Sequence, residues 1–108
     1  MADPHKVVSP IVHWLINRIL VNGPKVGTDW SLAIGTWDGE PCIAKRWDGE
    51  PDGKGYPISS GYPVWFIEPY VGAEHKAMLH NKHISETDRE FAREFLGWNE
   101  NYDDEEEN

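Results

Sequence analysis

The chain has 108 residues, 39% of them hydrophobic, and its 19 acids against 10 Lys and Arg give a net charge of −9. That size allows one small domain with a modest core, and six tryptophans, four tyrosines and three phenylalanines exclude a wholly disordered chain. No apolar run approaches the ~18 residues of a membrane-spanning helix, and the single cysteine, Cys42, excludes an internal disulfide.

The first element reads as an amphipathic helix over residues 10–22. Ser9 suits an N-cap and Pro10 the first helical position, where its missing N–H costs nothing. Val12, Leu15, Ile16, Ile19 and Leu20 recur at helical spacing. Asn22-Gly23-Pro24 supplies a stop, with Gly23 for a left-handed cap and Pro24 unable to continue.

Residues 29–47 read as a β-hairpin. Trp30, Leu32 and Ile34 alternate with Ser31, Ala33 and Gly35, and Asp38-Gly39 is a two-residue turn in which both positions tolerate positive φ. That turn sets a register in which Trp30 faces Trp47, Ile34 faces Ile43, Ala33 faces Ala44 and Gly35 faces Cys42. One face of the hairpin is then bulky and the other small, which suits a helix packed closely on the small face. Residues 63–68, Pro-Val-Trp-Phe-Ile-Glu, form a third strand without alternation, the pattern of a strand covered on both sides. Residues 72–81 allow a helical turn or two. Ser85 then caps a second helix that ends near residues 97–100, with acids in its first turn and Phe91, Ala92, Phe95 and Trp98 on one stripe. The expected fold is α+β: a three-stranded antiparallel sheet packed by an N-terminal and a C-terminal helix.

Residues 1–100 form the single domain, and residues 101–108 an acidic, solvated tail. Charge by segment supports this division: residues 103–107 carry −5, residues 85–100 carry −3, and the rest of the chain only −1. With no basic surface, a nucleic-acid partner is not expected, nor is a membrane. The beginning, Met1-Ala2-Asp3-Pro4-His5-Lys6, lacks the basic and apolar blocks of a secretory signal, and the lone cysteine fits a reducing compartment; a cytoplasmic location is the expectation.

An internal repeat is the most specific local feature. Trp37-Asp38-Gly39-Glu40-Pro41 recurs as Trp47-Asp48-Gly49-Glu50-Pro51, and each copy opens a turn at a strand end. Between strands two and three, residues 48–62 form a long connection rich in Gly, Pro, Ser and Tyr, of the kind that often binds ligands. Trp37, Trp47, Tyr56 and Tyr62 are the candidate ligand-binding residues, because their flat faces suit a sugar, base or peptide. Asp48-x-Glu50-x-Asp52-Gly53 resembles half of a calcium loop, but Pro51 and Ser59 stand where that loop needs other residues. His75, His80 and His83 lack a nearby cysteine and read as solvated side chains, and Cys42 reads as a small packed apolar residue. No metal or cofactor is expected, and no catalytic residue emerges.

Gly35-Thr36-Trp37-Asp38-Gly39-Glu40-Pro41, Arg46-Trp47-Asp48-Gly49 and Pro63-Val64-Trp65-Phe66-Ile67-Glu68-Pro69 together resemble small uncharacterised bacterial proteins carried on mobile elements such as prophages and integron gene cassettes. The resemblance covers about 35 central residues and implies no activity. A thin sheet that is apolar on both sides needs more cover than two helices supply, which suggests a homodimer through the uncovered face or an edge strand. The expected function is a non-catalytic interaction or binding protein. The alternatives are a small-molecule binder or minor enzyme with an aromatic cleft beside residues 48–62, and an acidic inhibitor of a basic protein acting through its tail.

Overall fold

A computed structural model describes residues 3–50, 53–59, 61–68 and 77–97. The fold is α+β. Its main sheet is antiparallel with four strands in the order β1-β2-β3-β6: β1 Trp14–Val21, β2 Trp30–Trp37, β3 Glu40–Trp47 and β6 Phe66–Glu68. Two short strands, β4 Ile58–Ser59 and β5 Tyr62–Pro63, pair separately. Among the described residues the helices are α1 Gly23–Val26 and α2 Glu86–Phe95, and short 3-10 turns cover Pro4–Lys6 and Ala77–Leu79. Among the described residues, no helix is long and apolar enough to cross a membrane.

The central hairpin has the expected register, from Trp30 opposite Trp47 to Trp37 opposite Glu40. Asp38 (φ 51°) and Gly39 (φ 88°) make the turn, both in the left-handed region.

The N-terminal helix over residues 10–22 is not there: only one turn forms after Pro10, whose carbonyl accepts from the N–H groups of His13 and Trp14, and the chain then runs as β1. The sheet therefore has four strands, not three. The spacing misleads for a physical reason. Pairing of β1 with β2 skips between Ile16 and Arg18 and again between Ile19 and Val21, and each bulge inserts one residue into the alternation. Residues on one face consequently recur in steps of three as well as two, which imitates a helical repeat. The β-branched content of this stretch, with Ile11, Val12, Ile16, Ile19 and Val21, favours the strand. Asn22-Gly23-Pro24 is a start and not a stop: the Asn22 side chain accepts from the Lys25 N–H, and Gly27 (φ 86°) ends α1.

The strand expected over 63–68 is shorter. Pro63 belongs to β5, Val64 bridges Ser9, and only Phe66–Glu68 pairs with β3. Trp65 is buried and its indole N–H donates to the Val7 carbonyl at 2.6 Å. It covers the small face of the hairpin together with Trp14 and Val7, against Ala33, Cys42 and Ala44. A helix was expected on this face. Indoles fill it instead, because small residues leave a depression shaped for a flat ring. A Cβ on Gly35 would lie 2.6 Å from a carbon of the Trp14 ring and 2.3 Å from the Leu15 carbonyl oxygen.

The bulky face carries the other core: Leu20, Val21, Leu32, Ile34 and Ile43 pack with Leu79, Ile84 and Ala92, flanked by Phe91, Phe95 and Leu96. The helix expected after Ser85 is α2, capped by the Ser85 hydroxyl accepting from the Asp88 N–H at 3.1 Å. Arg18 ties β1 to it, 3.0 Å from Asp88 with its guanidinium over the Phe91 ring. Arg89 clamps its approach by donating to the carbonyls of Leu79 (2.6 Å), Asn81 (3.2 Å) and Ile84 (3.3 Å). Of 72–81, residues 77–81 are described and hold the 3-10 turn Ala77–Leu79, whereas residues 72–76, the Trp98 end of the helical stripe and the 101–108 tail lie outside the described residues.

Candidate binding cleft

Where β3 ends, the chain turns inward. Asp48 is fully buried. Its N–H donates to the Asp29 carbonyl at 2.7 Å. Its Oδ2 accepts from the Ser31 hydroxyl at 2.7 Å, and Ser31 Oγ in turn accepts from the Gly23 N–H at 2.9 Å. Only glycine fits at 23: a Cβ there would lie 2.1 Å from Asp48 Oδ2 and 2.4 Å from the Trp30 carbonyl oxygen.

Arg46, also buried, fastens the connection that follows. Its guanidinium donates to the carbonyls of Val64 (2.6 Å), Trp47 (3.2 Å) and Lys54. Its Nε lies 3.7 Å from Asp48 Oδ1, and neither atom has a hydrogen-bond partner among the described residues. Burial dominates both ionisations. Desolvation pushes Asp48 above the ordinary carboxylate value, against the Ser31 hydrogen bond and the Arg46 charge, and pushes Arg46 below its ordinary value, against the attraction of Asp48. The pair fixes geometry at an energetic cost.

Held this way, Tyr56 runs alongside the end of β3, exchanging backbone hydrogen bonds with Trp47 at 2.7 and 2.8 Å. Between this segment and the bulky face opens a cleft of about 580 Å³. Trp30 and Leu32 of β2, Lys45 and Trp47 of β3, and Phe66 of β6 form its floor, while Tyr56, Pro57, Met78 and Asn81 contribute walls. Trp47, Tyr56 and Phe66 are 58%, 64% and 51% exposed there. Lys45 is 3.3 Å from Glu68 and 5.5 Å from the Phe66 ring centre, so both cations of the cleft, Lys45 and Arg46, sit beside carboxylates.

Of the candidate residues, the structure brings Trp47 and Tyr56 together in the cleft. Trp37 lies at the opposite end of β2 from Trp30, stacked on His13 with ring centres 5.2 Å apart. The backbone of Tyr62 pairs with Ser59 in the small sheet. Trp30 and Phe66 were missed. Trp30 was legible, because the hairpin register places it beside Trp47. Phe66 was not, because its place follows from the pairing with Lys45, which no turn announces.

Asp48, the first residue of the calcium-loop pattern, is buried against Ser31, and Pro51 and Asp52 lie outside the described residues. Among the described residues, no three His, Cys, Asp or Glu side chains are grouped to hold a metal ion. His83 meets Trp30 edge-on at 6.1 Å. Cys42 is buried on the small face, which raises its thiol to about 11 and makes it a poor nucleophile. Comparisons with protein-family models, curated proteins and solved structures gave no match.

Proposed function

We propose that this chain is a non-catalytic binding protein whose cleft takes a flat, largely uncharged small molecule, stacked against Trp47, Tyr56 and Phe66. One observation carries the reading: three aromatic side chains more than half exposed line the same cleft of about 580 Å³. Small-molecule sites have this size and this mixture of aromatic walls with few polar groups. Aromatic side chains left in water have no folding reason to gather in a concavity, and stacking on a ligand ring is what they do well. The charge of the ligand follows from Lys45 and Arg46 standing beside Glu68 and Asp48, which leaves little net field for an ionic group. Among the described lining residues none is a carboxylate, a thiol or an imidazole, which supports binding without chemistry.

Tryptophan fluorescence titrated with uncharged aromatic heterocycles and with neutral sugars tests this. Saturable quenching is expected with one of the two sets, weakened at least tenfold in Trp47→Ala and unaffected in Trp37→Ala. Absence of saturable quenching across both sets, or equal affinity in Trp47→Ala, would reject the cleft as the site.

A further inference from the structure

We propose that two copies of this chain associate through the outer edge of β1, antiparallel about Leu15, with Ile11 and Val12 flanking the junction. This rests on a different part of the molecule from the cleft and stands or falls separately. The strand order leaves β1 at one edge of the sheet, and among the described residues no strand pairs with its outer side. Such an edge offers a row of free backbone donors and acceptors. Val12, Ile11 and Leu15 are 81%, 76% and 69% exposed, the three highest values among the large apolar side chains described. They all fall at the beginning of this one strand or in the turn that leads into it.

Charge selects the occupant. Two chains of net charge −9 repel unless they meet where that charge is absent. The 25 residues from Pro4 to Thr28 contain no Asp or Glu, although the chain has 19 in all. Arg18 is already engaged with Asp88 at 3.0 Å, and the His13 ring with Asp38 at 2.7 Å. What remains is an apolar, nearly neutral edge that complements itself, as a twofold interface requires. The opposite edge does not offer this, because β6 has three residues and one of them is Glu68. Both faces of the central sheet are also spoken for, one by Trp14 and Trp65 and the other by α2. The bulges beyond Ile16 confine regular pairing to the first half of β1. The shared surface is then small beside the roughly 800 Å² per partner of a stable interface, so association is weak.

Sedimentation velocity on the full chain, from about 5 to about 500 μM to bracket a micromolar Kd, reads this directly. The mass is expected to climb from monomer toward dimer over that range, and Leu15→Lys or Val12→Lys to hold it at monomer. Both positions are largely exposed, so circular dichroism of each variant should match the parent. Trp47→Ala should dimerise as the parent does. A monomer at every concentration overturns the proposal, as does a dimer that survives both lysine variants or one lost in Trp47→Ala. Monomers that sediment with phosphatidylglycerol vesicles, and lose that ability in Val12→Lys, would assign the patch to a lipid surface and overturn it too.

Discussion

Five residues occur twice in this chain, and the two copies do opposite things. In Trp37-Asp38-Gly39-Glu40-Pro41 the aspartate stands in the left-handed region at the tip of a hairpin and reaches outward to His13 at 2.7 Å. In Trp47-Asp48-Gly49-Glu50-Pro51 the aspartate is fully buried against Ser31 and Arg46. Trp37 stacks on His13, whereas Trp47 stands more than half exposed in the cleft. The residue before each tryptophan differs, Thr36 in one copy and Arg46 in the other, and that difference accounts for much of the rest. A cation entering the protein beside the second copy gives its aspartate something to be buried with. Local sequence proposes a turn in both places, and the neighbours decide whether that turn faces water or anchors a wall.

The sharpest way to break the comparison is to remove the cation. Arg46→Met leaves Asp48 buried without its partner and strips donors from the carbonyls of Val64, Trp47 and Lys54. Loss of one member of a buried pair costs about 3–5 kcal/mol, read as a fall in urea midpoint. Asp38→Ala in the first copy breaks an exposed contact and should cost no more than about 1 kcal/mol. Equal losses would mean that the two aspartates are not in different environments.

The glycines separate the copies next. Gly39 and Gly49 both have positive φ, 88° and 83°, so alanine strains either backbone by roughly 1–2 kcal/mol. A Cβ at Gly39 meets nothing within 4 Å, whereas one at Gly49 would lie 2.6 Å from the Gly55 nitrogen and 2.7 Å from its Cα. Backbone cannot swing aside as a side chain does, so Gly49→Ala should cost about 1–3 kcal/mol more than Gly39→Ala. Thermal melts of the two variants, side by side, give the difference.

The same contrast marks what could be read in advance. The hairpin was legible down to its register, because Asp38-Gly39 dictates a turn and period-two alternation does the rest. The second helix was legible from Ser85 and the Phe91–Phe95 spacing. Strand β1 was not, since two bulges disguise its period. Part of the candidate site was legible for a related reason: Trp47 borders the long connection and Tyr56 lies within it, but whether an aromatic at a strand end faces the cleft depends on the far-apart chain segments that pack there. Trp37 was misplaced by its likeness to Trp47, the very likeness that the surroundings override.

Removing each tryptophan sharpens this further. Trp37 is partly buried and packs beside the core of Trp14, Ala33 and Cys42, so Trp37→Ala should lower stability by about 1–3 kcal/mol and leave fluorescence quenching by cleft ligands intact. Trp47→Ala should cost under about 1 kcal/mol, the value of its cross-strand contact with Trp30, and weaken the ligand affinity read by quenching at least tenfold. A reversed pattern would move the site to the hairpin tip.

The smallest effect lies in pH and belongs to the second copy alone. Burial holds Asp48 above 3.8, its ordinary value, so between 3.8 and its raised value the folded chain keeps a proton that the unfolded chain has lost. Stability is then greatest below that window and falls as pH rises through it. Asp48→Asn keeps an acceptor for Ser31 but has no proton to lose, so this fall disappears. Urea midpoints for parent and variant at steps across the acid range give a difference in which every other titrating group cancels. The stability of the parent relative to the variant should fall with rising pH if desolvation governs the pair. If it grows, the attraction of Arg46 outweighs burial, and the buried copy would be stabilised by its charge and not merely positioned by it.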